Sequence, residues 1–466
     1  MKNVNLVYGV NDRPGLWKTL VFAFQQVLAI LAATIAVPAI IGNGMSQSAA
    51  LFGAGVGTIV YLLFTKFKSP VFLGSSFAFI GSMFAAFGGA ASISAGYIGL
   101  IVGAILAGLV YVVIALIVKF AGVNWIDKIM PAAVIGPTVA IIGLSLSGNA
   151  IGDLFKGSVT TMVGSVATPV ASPYIAMLCG LVTLATVIVC SVYGKKMAKM
   201  IPFIIGICAG YVVAAIFTVI GNAADVDALK LINFSLFENM KWLPDFTFVE
   251  AFKGFKDIDG AFIGTVAVAY IPVAFVVFAE HLADHKNISS IIGTDLTKDP
   301  GLHRTLLGDG VGSMVGAFFG GCPNTTYGES VGCVAISGNA SVVTILTTAI
   351  MCIVAAFFAP FVTFLATIPS CVMGGVCISL YGFIAVSGLK MIQKVDLNDN
   401  ANLFTVSVIL IAGVGGMVVN IGKVTITSIA CALILGILTN LLTSKGKKAQ
   451  PQEEVETQKT VEDKAE

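Results

Sequence analysis

The amino-acid sequence predicts an all-α polytopic membrane protein, with fourteen segments in two inverted sevens and short extended stretches in the third and tenth. Composition, the placement of Lys and Arg, and an internal repeat carry that prediction. Of 466 residues, 57% are apolar and 11% charged, and the mean hydropathy is +0.97. An ordinary soluble domain is about 25% charged. A formal net charge of +2 and scattered basic residues leave no polyanion footprint, which argues against nucleic acid as a partner. The nine Cys residues lie in or beside apolar runs with no C-x-x-C pair, and read as small core hydrophobes rather than a disulfide framework or metal site.

With spans of about 20 residues, broken at polar or Gly/Pro clusters, the segments fall in order along the chain. They occupy 16–37, 48–65, 71–84, 93–120, 130–148, 172–193, 200–221, 260–284, 305–320, 326–337, 340–366, 369–389, 401–420 and 424–443. The N-terminal stretch 1–15 is polar, with Asp12 and Arg13, and no A-x-A site follows the first run, so that run is expected to stay as a span. The third and tenth segments are too short to cross as helices and are flanked by Gly, Ser, Thr, Asn and Pro, as discontinuous segments lining a cavity are. Residues 222–259 form a long outer loop, and the polar stretch 444–466 a disordered cytoplasmic tail. With both termini inside, only Lys156, Lys230, Lys241, Lys253, Lys256 and Lys423 of the 26 Lys and Arg fall outside. That asymmetry is what cytoplasmic loops require.

The repeat appears when the two short segments are aligned. Gly74-Ser-Ser-Phe77-Ala answers Asn324-Thr-Thr-Tyr327-Gly, with Ser75 and Thr325 250 residues apart. Pro131-Ala-Ala-Val134-Ile-Gly136 answers Pro369-Ser-Cys-Val372-Met-Gly374 at 238 residues. Seven spans per half is odd, so the halves, 16–221 and 260–443, are inverted relative to one another. Inverted repeats with broken segments are a transporter architecture.

Two carboxylates interrupt this apolar chain: Glu280, at the end of the apolar run of the eighth segment, and Glu329, in the tenth. An ionised side chain at the centre of a span costs about 2.5 to 3.5 kcal/mol on insertion scales, so each is expected to face a cavity. For Glu280 the plainer alternative is a span end that reaches the interface. The half-helices of segments three and ten would aim unpaired amides at a solute, and Gly328 would let backbone approach closely. Phe77 and Tyr327 offer flat faces, while Glu280 and Glu329 offer acceptors for N–H edges. A planar ring with alternating N–H and C=O groups, such as uracil, complements that set. The hydroxyls of Ser75, Ser76, Thr325 and Thr326 fit backbone satisfaction at a helix break.

Asp284 follows Glu280 by four residues and shares its helix face. Two acids in a low-dielectric site cannot both ionise cheaply, which makes the pair a candidate proton carrier. His281 and His285 are also four apart, but without H-E-x-x-H or a third ligand nearby they make a poor metal pair. Asp299-Pro-Gly-Leu-His-Arg304 reads as a turn and helix start.

Leu73-Gly-Ser-Ser-Phe-Ala-Phe-Ile80, Ala279-Glu-His281, Asp299 to Arg304, Pro323-Asn-Thr-Thr-Tyr-Gly-Glu329 and Val372-Met-Gly-Gly375 resemble the nucleobase/ascorbate transporter family, closest to its bacterial uracil permease branch. The likeness runs from about Val10 to Leu442. It implies a core and a gate domain, nucleobase uptake driven by a proton gradient with no other cofactor, and a homodimer in the bacterial inner membrane. By the same resemblance Glu280 and Glu329 grip the pyrimidine, Phe77 and Tyr327 flank it, amides around Gly328 meet its carbonyls, and Tyr381 stands near the ring from the gate side. Three positions depart from the pattern. Gln26 stands where uracil permeases have His, Asp284 replaces a His, and Glu329-Ser330-Val331-Gly332 to Ser337 carries Ser for the signature's Asn and Thr. The proton relay is therefore expected to run through Glu280 and Asp284, with Gln26 in the place of a third member. Glu at 329 favours a pyrimidine over xanthine or another purine. An anion carrier of the same architecture is the alternative within transport, and no motif of an intramembrane enzyme accompanies the acids.

Overall fold

The computed structural model describes residues 6–122, 125, 130–163, 166–195, 197–421 and 424–444. The expected tail lies outside the described residues apart from Ser444. The elements follow the expected segmentation. In the first half come α1 (Leu16–Ile41), α2 (Gln47–Phe64), strand β1 (Leu73–Ser75), α3 (Ile80–Gly88), α4 (Ile93–Ala121), α5 (Ala132–Ser145), α6 (Ser147–Leu154), α7 (Pro173–Tyr193) and α8 (Pro202–Ala224), with a hairpin of β2 (Thr160–Val163) and β3 (Val166–Pro169) between α6 and α7. The second half holds α9 (Gly260–Ile292), α10 (Leu302–Gly320), β4 (Asn324–Thr326), α11 (Gly328–Ser337), α12 (Val342–Ala356), α13 (Ala359–Thr367), α14 (Ser370–Ile392) and α15 (Asn400–Val414), then a hairpin of β5 (Val419–Ile421) and β6 (Val424–Ile426), and α16 (Ser428–Ser444). Among the described residues, eight helices are long and apolar enough to cross a membrane, counting α5 and α6 as one, and α12 with α13 form a ninth span bent by 82°.

The helices sort into two bundles, matching the expected core and gate. α2, α4, α10 and α12 pack closely, with α1 on α12 and α9 on α4; α5, α14 and α15 form the centre of the other bundle, with α7, α8 and α16 around them. The first four segments of each half thus build one bundle, and the last three build the other. α10 carries Arg304, Asp309 and several glycines, so its own hydropathy is modest. It is nevertheless a central helix, because its glycine face lets backbone meet backbone. A β-carbon at Gly312 would lie 2.8 Å from the Gly57 carbonyl oxygen of α2.

Strands β1 and β4 cross antiparallel between the two halves, pairing Leu73 with Thr326, Gly74 with Thr325 and Ser75 with Asn324. The Ser76 amide donates to Pro323 O at 2.9 Å and the Tyr327 amide to Phe72 O at 3.1 Å, which extends the ladder at both ends. Two short strands from a repeat thus satisfy each other's backbone inside the protein, as broken segments must.

Three expected boundaries are corrected. The eighth segment, expected to end at 284, continues to Ile292 before Gly293 closes it in the left-handed conformation. His281, His285 and Ile288 are buried against neighbouring helices, so the polar sequence stays helical. The thirteenth ends at Val414 and the fourteenth begins at Ser428, because the β-branched stretch between them pairs as β5 and β6. Asp299 to Arg304 is a turn and helix start, as expected, with α10 beginning at Leu302. Among the cysteines Cys208 is exposed on α8, whereas seven others are buried and behave as core residues, including Cys179 and Cys352.

Candidate functional site

Between the bundles lies a cavity of about 410 Å³. Its polar wall is made by Phe77, by Ala279, Glu280, Ala283 and Asp284 of α9, and by Thr325, Tyr327, Gly328 and Glu329 at the β4–α11 junction. Its apolar wall comes from Val139 and Ile142 of α5, Phe203 of α8, and Leu380, Phe383, Ile384 and Met391 of α14, with Ser387 the hydroxyl among them. The spacing of four puts Glu280 and Asp284 on one face of α9, opening into this cavity. Glu280 is therefore not a span end reaching the interface. It lies within a 33-residue helix, and its acidic neighbours are Asp284, Glu329 and Asp309. Among the described residues no Lys or Arg lines the cavity.

Asp284, Tyr327 and the α11 N-terminus are positioned from behind. Thr326, buried, donates to Asp284 Oδ2 at 2.9 Å, which ties strand β4 to α9. Tyr327 lies across β1, its hydroxyl donating to Ser75 O at 2.8 Å. That placement depends on Gly74, where a β-carbon would come within 2.3 Å of the Tyr327 ring. Gly328 opens the first turn of α11 to the cavity: a β-carbon there would meet only Asp284 Oδ1, at 3.9 Å. The first amides of a helix have no intrahelical acceptor, so this turn can donate to a solute carbonyl. Thr325 Oγ1 is buried without a hydrogen-bond partner at the cavity edge.

Of the expected site residues, Phe77, Glu280, Asp284, Thr325, Tyr327, Gly328 and Glu329 converge on one cavity. The others stand behind it. Tyr381 is 2% exposed, does not line the cavity, and packs edge-on against Phe77 with ring centroids 6.0 Å apart. Ser75, Ser76 and Thr326 are buried in and beside the strand pair. Gln26 of α1 donates to the Ser330 carbonyl at 3.3 Å and to its hydroxyl, while Ser330 Oγ accepts from the Phe72 amide at 3.1 Å. Gln26 is thus a brace between α1, β1 and α11 rather than a cavity group. Ser330 and the apolar wall escaped sequence reasoning. Ser330 stood in the sequence only as a departure from the signature, with nothing local to show that it braces α1 and Phe72, and apolar residues in apolar spans look like lipid-facing ones.

The model of the Permease family (Xan_ur_permease) matches residues 17–422. The chain belongs to this permease family. It is 37% identical to a uracil permease of Bacillus caldolyticus over 444 residues, 94% of each chain. It is 34% identical to a uracil permease of Escherichia coli over 450 residues, 96% of each, and 30% identical to a putative pyrimidine permease of that organism, over 96% of this chain and 95% of the other. Among solved structures, the transmembrane domain of the cyanobacterial bicarbonate transporter BicA superposes with a TM-score of 0.63 at 17% identity, covering 94% of this chain and all of that one. The anion transporter SLC26A9 gives 0.62 at 12% identity, over 92% of this chain and 65% of the other. Those two share the permease's fold. The permease is a multi-pass membrane protein and a transporter, not an enzyme.

Proposed function

We propose that this permease carries an uncharged pyrimidine base, uracil first, into the cell together with a proton. The single observation that carries the proposal is the polar wall: three carboxylates, a helix N-terminus, a tyrosine and a phenylalanine around a cavity lined by no cation among the described residues. Carboxylates accept from ring N–H groups, the first amides of α11 donate to ring carbonyls, and Phe77 and Tyr327 border the flat faces. The names of the curated relatives support the same substrate class. A purine base is larger than this pairing requires, and a sulfate or bicarbonate ion would meet three acids with nothing to offset them.

Coupling follows from the neighbouring acids. Glu280 and Asp284 share a cavity that a neutral base is to fill, and closing it over two carboxylates is costly unless a proton enters first. Thr326 fixes Asp284 while Glu280 faces the solute, so Asp284 is the proton-exchanging member and Glu280 the gripping one. Gln26, an amide without a titratable proton, acts only by bracing α11. Alternating access is rocking of the core bundle, which holds the polar wall, against the gate bundle, which holds the apolar one. The cavity reaches Phe203 at the start of α8 and Met391 near the end of α14. With both termini cytoplasmic these lie on the inner side, so this form faces inward.

The reading extends to two inverted repeats at 16–221 and 260–443, a homodimer, and the bacterial inner membrane. Equilibrium binding in detergent, with labelled uracil competed by thymine, xanthine, adenine and sulfate, tests the substrate. Uracil should displace the label best and sulfate not at all; displacement by sulfate would move the protein to the anion carriers.

A further inference from the structure

The histidines that the sequence pairs, His281 and His285, have no part in that proposal. Both are fully buried and stacked, with ring centroids 3.9 Å apart. Hydrogen-bond bookkeeping fixes where their hydrogens sit. His285 Nδ1 lies 2.8 Å from the His281 carbonyl oxygen, which can only accept, so Nδ1 carries the hydrogen. Its Nε2 then accepts from the Tyr61 hydroxyl at 2.6 Å, and Ser69, 2.7 Å from that oxygen, donates in turn. His285 closes as a neutral ring.

His281 does not close that way. Thr305 Oγ1 is 3.0 Å from the Leu302 carbonyl oxygen and 3.0 Å from His281 Nε2. A hydroxyl has one hydrogen; given to the carbonyl, it leaves Nε2 as the donor. His281 Nδ1 is 2.7 Å from Asp309 Oδ2, and Asp309 is 1% exposed. A bare nitrogen and a carboxylate cannot face each other at that distance, so a second hydrogen lies between them. Burial demands the same proton, because an interior carboxylate with a neutral ring as its one partner among the described residues is an uncompensated charge.

We propose that His281 and Asp309 together form a proton-binding site, separate from the Glu280/Asp284 pair. The reaction is a plain protonation: the neutral ring and carboxylate take up one hydrogen ion, held between Nδ1 and Oδ2, and the pair becomes neutral overall. Neither residue lines the large cavity. The titratable groups around the pair are Tyr61 from α2, Tyr111 from α4, whose ring lies 6.3 Å from His281, and Glu280, Asp284 and His285 on α9. The other oxygen of Asp309, the Tyr111 hydroxyl and the Ser313 hydroxyl are buried without partners around a void of about 10 Å³, room for one water. Asn324 of β4 lines the same void, next in sequence to Thr325 of the cavity. The site therefore abuts the strand that shapes the polar wall. This inference holds whichever solute the permease carries.

The chain has three histidines, so nitrogen NMR of the full-length protein, labelled with ¹⁵N-histidine in lipid nanodiscs, resolves each ring. His285→Gln and His303→Gln assign the signals. His281 is expected to show a protonated Nε2 near neutral pH, and either a protonated Nδ1 or, in infrared spectra, a protonated carboxyl band that Asp309→Asn removes. In Asp309→Asn the ring should hold one hydrogen. Should that variant fail to fold, the wild-type nitrogen and carboxyl signals decide alone. A bare Nε2 in the wild type, or a singly protonated ring without a protonated carboxyl band, overturns the proposal.

Discussion

The two walls of the cavity are built on different principles. The polar wall rests on α9 and the crossing of β1 with β4, where three parts of it have supports: Thr326 under Asp284, Gly74 and Ser75 under Tyr327, and Gln26 with Ser330 under α11. On the apolar wall, Leu380, Ile384, Phe383 and Phe203 offer smooth packing, with Phe203 and Phe383 edge-on at 6.0 Å. A braced wall holds hydrogen-bonding groups at fixed positions; an apolar one can slide past it without breaking a bond. In the proposed function, recognition and motion thereby fall to different bundles.

Breaking the polar wall should have the largest effect. Glu280→Gln or Glu329→Gln removes a charged acceptor worth about 1.5 to 3 kcal/mol, so uracil affinity measured by equilibrium binding should fall about 10- to 150-fold. An unchanged Kd in both variants would remove the carboxylates from recognition. Gly74→Ala comes next. Its β-carbon collides with the Tyr327 ring, and overpacking of this kind typically costs about 1 to 3 kcal/mol. Reduced binding with a lowered Tm is expected, and intact binding would show that Tyr327 need not lie on β1.

Asp284→Asn separates gripping from coupling. Affinity should stay within about threefold, while the accumulation ratio in vesicles collapses toward one; full dependence on the pH difference would end the relay assignment. On the apolar wall, Phe203→Ala or Phe383→Ala should leave Kd within a similar factor and alter the exchange rate instead. A recognition-sized loss of affinity there would erase the division between the walls. The smallest effect belongs to the outer loop, where hydrogen bonds from Lys253 and Ser94 hold the half-exposed Glu250 carboxyl below the usual carboxylate range. A lowered folded pKa stabilises above the unfolded value, near 4.3, and that stabilisation is lost as pH falls through the folded one. Glu250→Gln should shift Tm by about 1 °C or less at neutral pH, and the shift should vanish in acid.

Much of this was legible because the bilayer restricts what a sequence can do. Polar and Gly-rich interruptions at 71–84 and 326–337 could only be broken segments, and the repeat between Ser75 and Thr325 placed opposite each other two strands that the fold pairs one residue out of that alignment, with Thr325 against Gly74. Acids in an apolar run were expected to face a cavity, and Glu280 and Glu329 do. What stayed hidden is long-range pairing. Nothing local to Asp309 announces that it meets His281, 28 residues away, or that Gln26 reaches Ser330 across 304 residues. The end of α9 was missed for a related reason: polar residues after Asp284 read as loop, yet His285 is buried against Tyr61.

The most direct test of the account is labelled uracil uptake into proteoliposomes with an imposed inward-acid pH difference. The account predicts accumulation above the external concentration, abolished by a protonophore and reduced to equilibration by Asp284→Asn. Uptake that only equilibrates in the wild type and ignores the gradient would contradict it.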